Sequence, residues 1–264
     1  MAKRKYSVKP KHYSEVDQLI NLLLLKHHKV LGEKLIGMYM FGALVIGDFD
    51  YEISDIDLVA ATSSDLDTEE LEKLKKMHEE IAAENKTWAD RIEVGYISLE
   101  KLRRYNPNDR QGLISPGEPL HTRTVGKDWI INRYVLREKG ITLFGPPAET
   151  IIDPISKEEL KKAVKDLTKE WEEWMTHTEI MRPRKYQAYS ILTLCRSLYE
   201  YRNADIVSKR EAAEWAKKEL PEWSSLIENA LIWRQEWRNE EVDHDSTLPE
   251  TMRFLRFVIN QIVA

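Results

Sequence analysis

The chain has 264 residues, a 42% apolar composition and a net charge of −5 at neutral pH, enough apolar material for the cores of two modest domains. Basic and acidic residues are interspersed, apart from a basic N-terminal stretch (KRKYSVKPKH) and an acidic cluster near 236–245. This balance argues against a protein whose main work is gripping nucleic acid, which needs a dense basic surface, and suits a cationic small partner. No uninterrupted apolar run reaches membrane-spanning length and the basic N-terminus lacks a leader-like apolar core, so a cytoplasmic protein with no membrane partner is expected.

Val16, Leu19, Ile20, Leu23 and Val30 recur at helical spacing and predict an amphipathic helix over 12–32, with His27 and His28 on its polar face. IGMYMFG at 36–42 reads as a buried strand ending at a glycine. DIDLVAAT at 55–62 reads as a second strand, and the Ser and Asp residues of SSDLD suit the N-cap of a charged helix over 67–86. IEVGYIS at 92–98 is a third strand, 105–126 reads as a loop, and ITLFG at 141–145 is a further short strand. Strands alternating with helices argue for an α/β layer in the first half.

The pattern changes at GPPAETIIDPIS, 145–156, whose prolines and glycine mark a connector. Beyond it the pattern keeps helical spacing, as in Leu160, Val164 and Leu167, then Tyr189, Leu192, Arg196 and Tyr199, then Phe254, Phe257, Val258 and Ile262. Trp171, Trp174, Trp215, Trp223, Trp233 and Trp237 fall in this half, and no strand is expected there. The predicted fold class is therefore α+β, an α/β domain over 1–150 followed by an all-α helical bundle over 151–264. Cys195, inside SILTLCRSLY, reads as a packed core thiol, and a single cysteine permits no internal disulfide. VDHDS at 242–246 reads as a solvated acidic turn between helices.

The chemistry concentrates in GALVIGDFDYEISDID, residues 42–57. Residues two apart in a strand point the same way, so Asp55 and Asp57 share a face while Ile56 and Leu58 point into the core. Two carboxylates held together repel unless a cation lies between them. A hard divalent ion relieves that repulsion and bridges triphosphate oxygens as well. Glu93 interrupts the apolar run Ile92-Glu93-Val94 and reaches the same cleft if the third strand neighbours the second.

These residues resemble the nucleotidyltransferases of the DNA polymerase beta type, whose pattern is a Gly-Ser turn, an Asp-x-Asp strand and a later strand with a third acid. The matching residues are Gly42-Ala43, Ser54-Asp55-Ile56-Asp57 and Glu93. FGPPAETIIDPIS, LTLCR and IVSKREAAEWAKKELP narrow the resemblance to the aminoglycoside adenylyltransferases acting on streptomycin and spectinomycin, in order over about 35–262.

The resemblance implies a mixed sheet in the first domain, ATP as co-substrate and magnesium held by Asp55 and Asp57. Glu93 is implied either as a further metal ligand or as general base on the acceptor hydroxyl. It implies nucleotide contacts from Gly42, Ala43 and Ser54, and from Arg196 and Lys209 reaching the triphosphate across the interdomain cleft. On the bare residue pattern, Arg196, an arginine within an apolar helical run, also reads as a buried structural ion pair and Lys209 as a solvated helix start. Trp171 and Asp128 are implied in gripping a cationic drug, and an antibiotic-resistance role follows. Ala43 departs from the family's serine, so weaker phosphate contact through backbone N–H groups is expected. Tyr186 stands where streptomycin-modifying relatives tend to carry an acid, which argues against streptomycin. A monomer is expected. Two other readings stay open, a nucleotidyltransferase with a metabolite, protein or RNA acceptor, and a nucleotide-binding module without catalysis.

Overall fold

The structure, a computed structural model, describes residues 14–236 and 241–264. The basic N-terminal stretch, Trp237 and part of the 236–245 cluster lie outside the described residues. The elements in chain order are α1 (Ser14–Leu31), β1 (Leu35–Met40), α2 (Ala43–Ile46), β2 (Ile56–Thr62), α3 (Thr68–Glu84), β3 (Ile92–Ser98), α4 (Leu99–Arg103), β4 (Arg110–Ser115), β5 (Glu118–Thr124), α5 (Asp128–Lys139), β6 (Ile141–Phe144) and α6 (Ala148–Ile151). The helices α7 (Lys157–Trp174), α8 (Thr178–Met181), α9 (Arg184–Asn203), α10 (Lys209–Glu219), α11 (Ser224–Gln235) and α12 (His244–Val263) follow.

The chain divides into two compact units, one of residues up to 45, 49–125 and 140–153, the other of 46–48, 126–139 and 154–264. Helix α5 and the short 46–48 segment thus group with the helices, whereas the sequence pattern suggested one boundary near 150. The first unit is a mixed sheet of order β5-β4-β3-β2-β1-β6, in which only β2 and β3 run parallel. The predicted loop over 105–126 is in fact the β4–β5 hairpin. Its strands RQGLIS and EPLHTRT are rich in polar residues, and β5 is largely exposed at the sheet edge, so neither carries a strong apolar signal.

Helices α1 and α3 cover one face of the sheet, joining Leu19, Leu23, Leu74 and Ile81 to Met38, Ile56, Leu58, Ile92 and Val94 in one core. Helix α3 starts where the sequence places it. Asp67 accepts from Glu70 N at 2.8 Å and Glu70 Oε2 accepts from Asp67 N at 2.8 Å, a reciprocal cap. The helical unit has its own core around α9, packed by Leu226, Ile227, Phe254, Leu255 and Val258, with Cys195 fully buried in it. Burial pushes the Cys195 thiol well up, which keeps it inert. VDHDS is the start of α12, where Asp243 Oδ1 accepts from Asp245 N and Ser246 N. No helix among the described residues is long and apolar enough to cross a membrane.

His27 departs from expectation, because it is fully buried rather than on the polar face. Its Nδ1 pairs with the Leu23 carbonyl at 2.6 Å, so that nitrogen carries the proton. Tyr96 of β3 then donates its hydroxyl hydrogen to His27 Nε2 at 2.6 Å and accepts from His78 Nε2 of α3 at 2.5 Å. With both imidazoles neutral, the three side chains form one chain of hydrogen bonds. Burial pushes His27 down to about 4 and His78 to about 3 from an ordinary 6.5. The unfolded chain therefore binds more protons between those values. Stability from this cluster is full above pH 6.5 and declines as pH falls toward 4, by on the order of 3 kcal/mol for each histidine. Urea melts from pH 8 to pH 4 test this decline. Tyr96→Phe strands both Nε2 atoms and is expected to cost roughly 2 kcal/mol at pH 8.

Candidate active site

Strands β2 and β3 are buried along their whole length except at one place on each, Asp57 and Glu93. The parallel register makes these two residues direct partners, as it does Ile56 with Ile92 and Leu58 with Val94. Neighbouring strands lie about 4.8 Å apart and residues two apart in a strand about 6.6 Å, so Asp55, Asp57 and Glu93 lie close along one sheet face. That face is opposite the one α1 and α3 cover, since Ile56, Leu58, Ile92 and Val94 all face those helices.

Two contacts fix the acids. Gly42, at φ +68°, lies two residues beyond the end of β1, and a Cβ there would come 2.6 Å from Asp57 Cγ. Only glycine admits the carboxylate so near the turn. Phe41 N also donates to the Asp57 carbonyl at 3.1 Å. Asp55 ends a loop held by Arg91, whose Nε donates to the Ser54 carbonyl at 3.1 Å and whose Nη2 donates to the Tyr51 carbonyl at 2.7 Å. The guanidinium lies 4.4 Å over the Trp88 ring. Ser54 is buried, and its Oγ accepts from Asp50 N at 2.9 Å, closing that loop. Ala43 opens α2 and offers a backbone N–H but no hydroxyl.

Among the described residues no three His, Cys, Asp or Glu side chains form a cluster able to hold a metal. The three acids thus do not complete a coordination sphere by themselves. They fit a cation that takes one or two carboxylates and draws its other ligands from phosphate and water, which is how magnesium usually binds. The absence of a side chain at Gly42 lets the Asp57 carboxylate occupy the space that a Cβ would fill.

The other expected site residues lie on the helical unit. Arg196 of α9 is one-third exposed and stands 3.4 Å from Glu200. Lys209 opens α10 and places Nζ 4.2 Å over the ring of Tyr189. Trp171 of α7 meets that same ring at 6.3 Å. Tyr189, read from spacing as an apolar position, is 53% exposed and joins these two residues. Asp128 begins α5 and accepts from Asn132 Nδ2 at 3.5 Å.

Residues 150–261 match the sequence model of the aminoglycoside adenylyltransferase C-terminal domain. Over those residues the chain is similar to the aminoglycoside adenylyltransferases. It is 28% identical over 131 residues to an aminoglycoside (3'') (9) adenylyltransferase of Rhizobium radiobacter, covering 48% of this chain and 45% of that protein, so the match spans less than half that relative's length. It is 26% identical over 223 residues to a spectinomycin 9-adenylyltransferase of Staphylococcus aureus, covering 80% of this chain and 81% of the relative. Its fold is similar to that of the spectinomycin adenyltransferase AAD(9) from Enterococcus faecialis, solved with ATP and spectinomycin, with a TM-score of 0.73, 21% identity, and coverage of 92% of this chain and 99% of that one. The aspartate pair and Glu93 are candidates that the sequence offers, whereas the contacts of Arg91 and Asp48 leave no local signal in it.

Asp48 belongs to the 46–48 segment that groups with the helices. Its carboxylate, 9% exposed, accepts from Arg210 Nε and Arg234 Nη1, both at 3.1 Å. It also accepts from the Arg210 backbone N–H at 3.3 Å, in the first turn of α10. Nothing in the sequence spacing links residues so far apart. Asp48→Ala leaves two guanidiniums facing each other and is expected to cost about 1–3 kcal/mol, a figure reduced because Arg210 is half exposed. Chemical denaturation checks it. Gly42→Ala forces a strained φ and displaces the Asp57 carboxylate. Turnover is expected to fall by at least roughly a hundredfold with the fold retained, read by steady-state rates beside circular dichroism.

Proposed function

We infer that this protein transfers AMP from ATP to a hydroxyl of an aminoglycoside-type antibiotic, with spectinomycin the first candidate acceptor and pyrophosphate the other product. The observation that carries the reading is the register pairing Asp57 with Glu93 beside the Gly42 turn. The sequence relatives named for spectinomycin and aminoglycoside transfer support the choice of acceptor.

Asp55 and Asp57 would hold magnesium, which when bound neutralises phosphate charge and polarises the α-phosphorus. Glu93 accepts the proton of the acceptor hydroxyl. The freed oxygen forms a bond to the α-phosphorus, the bond from that phosphorus to the bridging oxygen breaks, and pyrophosphate leaves with the electron pair. Arg196 and Lys209 are assigned to the negative charge of the triphosphate, a role that suits a guanidinium fork and an ammonium. Backbone N–H groups at Gly42 and Ala43 are assigned to phosphate in place of a serine hydroxyl. Ser54, with its hydroxyl engaged by Asp50, serves by holding the loop of Asp55. Trp171 and Asp128 are assigned to the cationic acceptor, an aromatic face and an acid each favouring positive charge. The enzyme acts in the cytoplasm, where ATP and magnesium are at hand.

Pyrophosphate release from ATP and magnesium, with spectinomycin, streptomycin and other aminoglycosides as acceptors and product masses recorded, tests this. One drug gaining the mass of an adenylyl group is the expected result. ATP binding without release toward any drug would replace it with another acceptor or a binding module. Glu93→Gln is expected to lower kcat by roughly a hundredfold or more with the ATP dissociation constant little changed. Asp57→Ala is expected to abolish measurable turnover, and full turnover in that variant would refute the assignment.

A further inference from the structure

Helix α9 buries a carboxylate that the transfer chemistry does not use. Glu200 is 2% exposed and lies within a turn of the helix end at Asn203, where the free carbonyls disfavour negative charge. Arg196, one turn earlier, brings Nε to 3.4 Å from Oε1. The approach makes no hydrogen bond, and Oε1 has no donor among the described residues. The other cation that acts on it is Lys139 of α5, itself tied to the Ile206 carbonyl and, at 3.2 Å, to Asp205. Helices α7, α10, α11 and α12 also pack on α9, and among the described residues no charged side chain of theirs perturbs the Glu200 carboxyl. Burial pushes that carboxyl up to about 7 against the pull of Arg196 and Lys139. An amide or an apolar side chain would fold here at lower cost.

We propose that Glu200 is a positioning residue for the nucleotide, holding the Arg196 guanidinium through its Nε edge so that both Nη groups remain for phosphate oxygens. The proposal rests on the assignment of Arg196 to the triphosphate. Arg196 makes no hydrogen bond through its Nη groups among the described residues. A long side chain held at one edge loses less freedom when it meets its ligand, which is a gain in affinity without a new contact.

The experiment is the dissociation constant of magnesium-ATP by titration calorimetry, which needs no acceptor and so stands apart from the choice of drug. Glu200→Gln keeps the size and removes the charge. Its dissociation constant is expected to rise about five- to tenfold, with a melting temperature equal to or above the parent's. A carboxyl raised from 4.5 to about 7 contributes stability below its unfolded value and loses it as pH rises through 7, so the gain in melting temperature is larger at pH 8 than at pH 5. Parent affinity is expected to strengthen as pH rises through 7 more steeply than that of Glu200→Gln. The phosphate of ATP titrates in both, so the difference is the readout. In an Arg196→Ala background, Glu200→Gln is expected to add nothing. Unchanged affinity in Glu200→Gln alone, or an effect that persists undiminished without Arg196, overturns the proposal. Unchanged affinity in Arg196→Ala overturns the Arg196 assignment as well, and that separate signature tells the two failures apart.

Discussion

The parallel pairing of β2 with β3 is the constraint on which the candidate site depends. Side chains alternate across a sheet, so a slip of one residue would send Asp57 or Glu93 into the core that α1 and α3 build and bring an isoleucine or leucine to the opposite face. The apolar residues of both strands prevent that slip, because Ile56, Leu58, Ile92 and Val94 are all fully or almost fully buried. Hydrophobic burial on one face thus fixes the position of charge on the other. The Gly42 turn adds a second restraint, since Asp57 lies where any larger residue would place its Cβ.

The two units bury polar groups on different terms. In the sheet unit, His27, Tyr96 and His78 form a chain in which each donor meets an acceptor, and the cost of burial appears only when an imidazole must take up a proton. In the helical unit, Glu200 is left with an ion pair at 3.4 Å and an oxygen that has no donor among the described residues. The first arrangement ties α1, β3 and α3 together. The second serves the arrangement of Arg196 at the expense of stability, as polar groups at functional positions often do.

Much of this was legible in the sequence. The helix opening the chain, strands β1, β2, β3 and β6, and the helical character of the second half follow from apolar periodicity, and the Asp-Ile-Asp spacing points to one face of a strand. The β4–β5 hairpin was not legible, because Arg110, Gln111, Thr122 and Thr124 break the apolar alternation. His27 was misplaced because a histidine inside a helix full of leucines gives no sign of which face it joins. Its partners Tyr96 and His78 are distant in sequence. Arg91, Asp48 and Glu200 act through contacts to backbone carbonyls or to residues brought near by folding, and no local pattern announces such partners. Arg196 shows both faces of the problem, since its place in an apolar helix suggests a buried ion pair, whereas the structure pairs it with Glu200 while leaving the guanidinium one-third exposed.

The most direct measurement is a crystal structure with a non-hydrolysable ATP analogue and manganese in place of magnesium, with the metal located by its anomalous scattering. The account predicts a manganese peak at bonding distance from the Asp55 and Asp57 carboxylates and from a phosphate oxygen of the analogue, with Glu93 beside the α-phosphorus. A bound analogue whose metal lies away from both aspartates would contradict it.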